Sequence, residues 1–384
     1  MTRAARHAIV ADTVFDGTVV HQGYAIIVEG DTIAALTPRQ ELPHSVPVQE
    51  MPPGMWLAPG FIDVQVNGGG DVLFNDTTTV EGIAAIVAAH RRFGTTALLP
   101  TLISGTADKM RAAAAAVEAA MPSMPGVLGI HFEGPFLSPE RAGVHDPRMI
   151  RPPTSEELAF LTAPHSGVRL VTLAPERVPA GFIRALTAAG VRVALGHSMA
   201  TYAETHAAIS EGLTGFTHLF NAMRPLASRE PGPIAAALET ADVFYGLIVD
   251  GEHVAPPMLR LALRGLGQPM LVTDAMPPVG GIGRGFMLGG KRIGLRDRRL
   301  TTQDGTLAGA ALDMASAVRN CVRLLDLALP EALRLASAAP AACLDLADRL
   351  GHLGPGRRAD IVALDPAEIC VLATWMAGEE SRPG

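Results

Sequence analysis

Eight short apolar runs, each parted from the next by a helix-forming stretch, fill residues 61–274 and restrict the folds open to this chain. The runs are FIDVQVN (61–67), TTALLPT (95–101), VLGIHFE (127–133), VRLVTLAP (168–175), VRVALGH (191–197), TGFTH (214–218), VFYGLIVD (243–250) and MLVTD (270–274). Between them lie stretches such as ADKMRAAAAAVEAAM, SEELAFL and TYAETHAAISEG. An apolar run too short for a helix reads as a strand buried on both faces, and a helix between two such strands makes them parallel. Eight repeats of the unit predict a (β/α)8 TIM barrel. A doubly wound open sheet satisfies the same alternation, but no glycine-rich dinucleotide loop follows the first run.

The ends of the chain read differently. Residues 1–57 hold short runs, HAIVADTVF, YAIIVEG and DTIAAL, broken by Gly, Asp and Pro, and a similar run, ADIVALD, returns at 359–365. This pattern predicts that 1–57 and 350–384 meet in one small β-sandwich domain around a barrel formed by 58–349. Within the latter, the Gly- and Arg-rich stretch 279–305 reads as a hairpin, and 311–328 and 330–348 read as helices.

Composition narrows the function classes. The formal net charge of −7, with no basic block interleaved with aromatics, argues against nucleic acid as a partner. No window of about 18 apolar residues free of charge suggests a membrane span. Cys321, Cys343 and Cys370 form no CxxC pair and read as buried thiols in a reducing compartment, and the N-terminus lacks a long apolar signal region, so the expected location is the cytoplasm.

Chemistry in a TIM barrel sits at the C-terminal ends of the strands, and here four of those ends are polar: Glu133, His197, His218 and Asp274. A carboxylate and two imidazoles suit zinc or a similar divalent ion and leave a position for water; iron, cobalt and manganese accept the same set. Asp274, outside that set, is placed to take the water's proton and pass it to a leaving group. This division of labour describes hydrolysis of an amide or ester. His131, two residues before Glu133, shares its inward face and is a candidate neighbour of the ligand set. His7, His21, His44, His90, His165, His206 and His352 read as surface residues.

The same residues fall in an ordered series of motifs: PGFIDVQVNG (59–68), HFEGPFLSPERAGVH (131–145), LGHSMATY (195–202), THLFNAM (217–223), REPG (229–232), DGEHV (250–254), LVTDAMPP (271–278), LAG (307–309) and GRRADIVALD (356–365). Over nearly its whole length the chain closely resembles the N-acetylglucosamine-6-phosphate deacetylases of the amidohydrolase superfamily. The resemblance implies a barrel with a β-sandwich from both ends. It also implies removal of acetate from N-acetyl-D-glucosamine 6-phosphate, in amino-sugar catabolism and cell-wall recycling. Residue by residue, it puts Glu133, His197 and His218 on the metal ligands, Asp274 on the acid/base, and His145 on the group that polarises the acetamide carbonyl. Asn221, the Ala222 backbone, Arg229 and His253 fall on the sugar-phosphate contacts, with Arg229 reaching across a homodimer interface.

Four positions depart from common patterns. Gln65 and Asn67 stand where many superfamily members carry His-x-His for a second metal, which implies one ion per subunit. Ala310 stands where relatives often have Ser, and Met199 where a polar residue is common beside His197.

Overall fold

The computed structural model describes residues 6–383. Eight strands form one nearly closed parallel sheet: β1 (Phe61–Val66), β2 (Thr95–Ile103), β3 (Gly129–Glu133), β4 (Val168–Leu173), β5 (Arg192–Leu195), β6 (Gly215–Phe216), β7 (Phe244–Leu247) and β8 (Gln268–Leu271). They neighbour one another in sequence order from β1 to β8, and a parallel bridge between Val66 and Ala275 joins the two ends of the series. β1, β2 and β3 are buried at every position, as strands covered on both faces must be. Helices lie between the strands, including Val80–Arg91, Ala107–Ala120, Ser155–Thr162 and Tyr202–Ser210. Two open with reciprocal caps, Thr154 with Glu157 and Thr201 with Glu204. Each cap satisfies two backbone donors that the first helical turn would otherwise leave unpaired. The cap at Thr201 fixes where the loop that follows β5 ends.

Contacts divide the described chain into two units, 64–87 with 98–312, and 6–63 with 88–97 and 313–383. In the second of these, strand Trp56–Pro59 pairs parallel to Thr13–Phe15 and antiparallel to Ile361–Asp365, so both ends of the chain share one six-stranded sheet. A four-stranded sheet is built from Arg6–Val10, Tyr24–Glu29, Thr32–Pro38 and Val48–Glu50. Ile9 and Ile26 of this sheet and Val14, Leu57, Ile361 and Trp375 of the six-stranded one form one buried apolar core; each such side chain contributes about 1.5–3 kcal/mol by leaving water.

Local readings needed correction. The stretch 279–305 is a three-stranded antiparallel meander (Gly285–Leu288, Lys291–Arg296, Arg299–Thr301) rather than a hairpin. The second predicted helix is two, Leu329–Ala336 and Ala338–Cys343, parted at Ser337. Pro340 has no N–H to give the carbonyl of residue 336, so the first helix cannot continue through it. His90, expected at the surface, is fully buried in the last turn of helix Val80–Arg91, and Cys370 is exposed although Cys321 and Cys343 are buried. Among the described residues no helix is long and apolar enough to cross a membrane.

Candidate active site

Glu133 is the last residue of β3, but the other three polar residues lie past their strands. β5 ends at Leu195, β6 at Phe216 and β8 at Leu271, and His197, His218 and Asp274 adopt φ of 48°, 34° and 50°. A left-handed backbone breaks the extended ladder and costs of order 1–3 kcal/mol at a residue with a Cβ. Neighbouring loops hold the strained turns: Ser138 N–H donates to the His197 carbonyl at 2.9 Å, Leu219 N–H to the Gly246 carbonyl at 2.8 Å, and Ala310 N–H to the Asp274 carbonyl at 2.9 Å. That last bond uses the backbone of Ala310, so the missing Ser hydroxyl does not affect it.

Nε2 of His197 and Nε2 of His218 lie 3.1 and 3.0 Å from Oε1 of Glu133 and 3.2 Å from each other. All three side chains are almost fully buried. Nδ1 of His197 donates to the carbonyl of Arg141 at 2.7 Å, which fixes the ring with Nε2 facing Glu133 and His218. Nδ1 of His218 is buried with no hydrogen-bond partner, and the ring meets Glu133 through Nε2. Burial alone would raise the Glu133 pKa, but the bonds from His197 and His218 hold it well below the usual carboxylate range. One anionic oxygen and two imidazole nitrogens, all within 4.8 Å of one another, make a donor set that fits a divalent ion.

Beside the cluster, Asp274 receives two amide donors on the same oxygen: Asn67 Nδ2 at 2.6 Å and Gln65 Nε2 at 3.1 Å from Oδ1. The positions left without His-x-His therefore hold the neighbouring carboxylate. Burial and the nearby charge of Glu133 push the Asp274 pKa up to about 6. His145 lies against His197, ring centroids 4.4 Å apart. Ser104 N–H and the Ser104 hydroxyl reach its Nδ1 at 3.4 and 2.8 Å. A ring nitrogen that accepts from a backbone N–H carries no proton of its own, so Nε2 is the donor. Burial and the His197 imidazole depress the His145 pKa to about 3, which keeps the ring neutral.

These groups line a cavity of about 290 Å³ together with Asn221, Ala222 and His253, with Ile248, Val144 and Met276 among its apolar walls. Asp250 aligns His253: Oδ2 accepts from Nδ1 at 2.6 Å, and Oδ1 accepts the backbone N–H groups of Glu252 and His253. Nε2 of His253 is thereby left for the cavity. Arg229 is exposed on the loop before helix Gly232–Glu239 and is absent from the cavity lining. His131 bonds to Thr172 Oγ1 at 2.7 Å and to the Val64 carbonyl at 3.1 Å, and burial lowers its pKa to about 4. Thr172 Oγ1 continues to Thr217 Oγ1 at 2.6 Å, next in sequence to His218.

Arg141 is a cavity residue that sequence reasoning missed, although it lies inside the HFEGPFLSPERAGVH motif. Its Nε donates to the sulfur of Met199 at 3.0 Å, so the unusual Met beside His197 supports this arginine. The signal lay in the pairing of two loops 58 residues apart, which spacing does not reveal.

The profile of the amidohydrolase family matches residues 56–382. A relative from a Shewanella species, named N-acetylgalactosamine-6-phosphate deacetylase, is 44% identical over 84% of this chain and 82% of its own length. The crystal structure of N-acetylglucosamine-6-phosphate deacetylase from Pasteurella multocida superposes with a TM-score of 0.94 at 34% identity, covering 98% of this chain and 100% of that one. An Asp-to-Ala variant of the Mycobacterium smegmatis N-acetyl-D-glucosamine-6-phosphate deacetylase, in complex with N-acetyl-D-glucosamine-6-phosphate, gives a TM-score of 0.89 at 34% identity over 98% and 99% of the two chains. With a buried Glu-His-His centre at the mouth of its barrel, this chain belongs to the metal-dependent amidohydrolase family, among the amino-sugar-6-phosphate deacetylases.

Proposed function

We propose that the cavity removes acetate from N-acetyl-D-glucosamine 6-phosphate and releases D-glucosamine 6-phosphate. The observation that carries this reading is the grouping of Glu133, His197 and His218 with His145 and Asp274 around one cavity that also receives His253. Glu133, His197 and His218 would hold a divalent ion, which would supply Lewis acidity toward a water molecule and ease the loss of its proton near neutral pH. Oδ2 of Asp274 takes that proton while Asn67 and Gln65 keep Oδ1 fixed. The N–H at Nε2 of His145 donates to the acetamide oxygen as negative charge builds there. The water oxygen adds to the acetamide carbon, and as the C–N bond breaks to release acetate Asp274 gives its proton to the departing amine nitrogen. His253, aligned by Asp250, and the backbone at Asn221 and Ala222 hold the sugar phosphate.

In the same reading the site holds one ion per subunit, zinc, because Gln65 and Asn67 offer amide groups where a second ion needs imidazoles. The enzyme is a cytoplasmic homodimer in which Arg229, exposed on its own subunit, reaches the phosphate in the neighbouring cavity. The decisive experiment measures acetate release from N-acetylglucosamine 6-phosphate after chelation and return of one metal at a time. No release with any of zinc, iron, cobalt or manganese would refute it.

A second reading, the galacto epimer, is favoured by the name of the Shewanella relative at 44% identity. Comparing kcat/KM for the two N-acetylhexosamine 6-phosphates decides between them.

A further inference from the structure

The meander 285–301, with Arg284 just before it, carries six cationic side chains and one acidic one, Asp297, in a chain of formal net charge −7. Its inward face is apolar: Ile293 and Leu300 are buried with Leu288 and Met276. Period-two alternation then turns Arg292, Gly294 and Arg296 to the other face. The register places Gly285, Gly294 and Thr301 in one row across the three strands. Gly285 leaves no room for a larger residue, since a Cβ there would lie 2.5 Å from the Ile293 carbonyl oxygen. At Gly294 a Cβ would meet nothing within 4 Å, so this glycine leaves the floor open without any steric need for it.

Arg284, Arg292 and Arg296, with Thr301 and Gln303, line a cavity of about 580 Å³ over that floor. This cavity shares no lining residue with the one that holds Glu133. Arg299 on the same meander pairs with Glu252 at 3.1 Å, whereas the exposed Arg284, Arg292 and Arg296 have no ion pair among the described residues, and Asp304, between the lining residues Gln303 and Gly305, is the acidic group beside them. Three like charges beside one carboxylate leave a net positive patch, which attracts an anion.

We propose that this trough is a binding site for a phosphate monoester dianion, separate from the barrel-mouth cavity. Guanidinium groups match phosphate oxygens as paired donors, and three of them call for more than the single charge of a carboxylate. Thr301 adds a hydroxyl to the floor. The cavity is large enough for a phosphate carrying a small sugar. The outer face offers no aromatic platform for bases, since the meander's one aromatic, Phe286, packs against the apolar core; this excludes a nucleic acid strand.

The test is calorimetric titration of the intact protein with inorganic phosphate and, separately, with glucose 6-phosphate at fixed moderate ionic strength. Two variants accompany the wild type: Arg292→Gln/Arg296→Gln, which removes charge, and Gly294→Val, which fills the trough and keeps every charge. The wild type is expected to show a saturable site beyond the barrel-mouth cavity. Each variant should weaken it by about tenfold or more, with kcat for deacetylation unchanged. Saturation by either anion supports the site, and the tighter of the two identifies whether it takes free or esterified phosphate. A wild type with no second site overturns the proposal, as does a second site that survives Gly294→Val. The binding readout does not depend on turnover, so its failure is distinguishable from failure of the deacetylase reading.

Discussion

Asn67 Nδ2 lies 2.6 Å from Asp274 Oδ1, across 207 residues of sequence, and both side chains are buried. A charge-assisted bond of this kind is worth about 1.5–3 kcal/mol. Asn67→Ala should therefore lower kcat by about 10- to 100-fold while leaving the metal content unchanged. The bond favours the ionised form of Asp274, so its loss should also move the acid limb of the pH profile upward from about 6. Steady-state rates between pH 5 and 8 check both effects; an unshifted acid limb would separate Asn67 from Asp274.

Asp274→Asn removes the proton acceptor but keeps a side chain of the same shape. Turnover should fall by at least about 10³-fold, within the range for general acid–base catalysis. Metal analysis and sugar-phosphate binding should be close to wild type. A variant that retains most of its kcat would exclude Asp274 as the base.

His253 takes its orientation from Asp250. Burial alone would raise the Asp250 pKa, but the bonds from His253 and the backbone hold it below the usual carboxylate range, so it remains ionised at neutral pH. Asp250→Ala should raise KM for the phosphorylated substrate by about tenfold, the loss expected for one charge-assisted contact, and leave unphosphorylated N-acetylglucosamine hydrolysis unchanged. Equal losses on both substrates would mean that Asp250 supports the loop rather than phosphate recognition.

Metal removal should expose the strain at the Glu133 centre. For the proposed single site per chain, added ion should raise stability by RT ln(1 + [L]/Kd), about 2.7 kcal/mol at a hundredfold excess over Kd. Thermal melts should rise with ion concentration in the wild type and much less in Glu133→Gln. A melt of chelated protein that does not respond to any divalent ion would contradict the assignment of Glu133, His197 and His218.

The barrel was legible because eight apolar runs repeat with helices between them, and burial on both faces leaves that pattern little freedom. Glu133 was legible for the same reason, as the end of such a run. His197, His218 and Asp274 were found by type, but their places were read as strand ends. His and Asp enter the left-handed region more readily than most residues, but that weak preference does not say where, and the bonds from neighbouring segments set the place. Gln65 and Asn67 were recognised only as poor metal ligands. Their partner lies at the far end of the barrel sequence, beyond any periodicity. His90 shows the opposite limit: a polar residue late in a helix looks exposed until the packing of that turn is known.

The bridge between Val66 and Ala275 adjoins both Asn67 and Asp274 in sequence. The ring therefore has its seam beside Asp274, the proposed acid/base. A chain whose ring has not closed lacks the Asn67 contact, whatever else has formed. Loss of that contact should weaken turnover by about 10- to 100-fold, so an incompletely closed ring is expected to be the poorer catalyst.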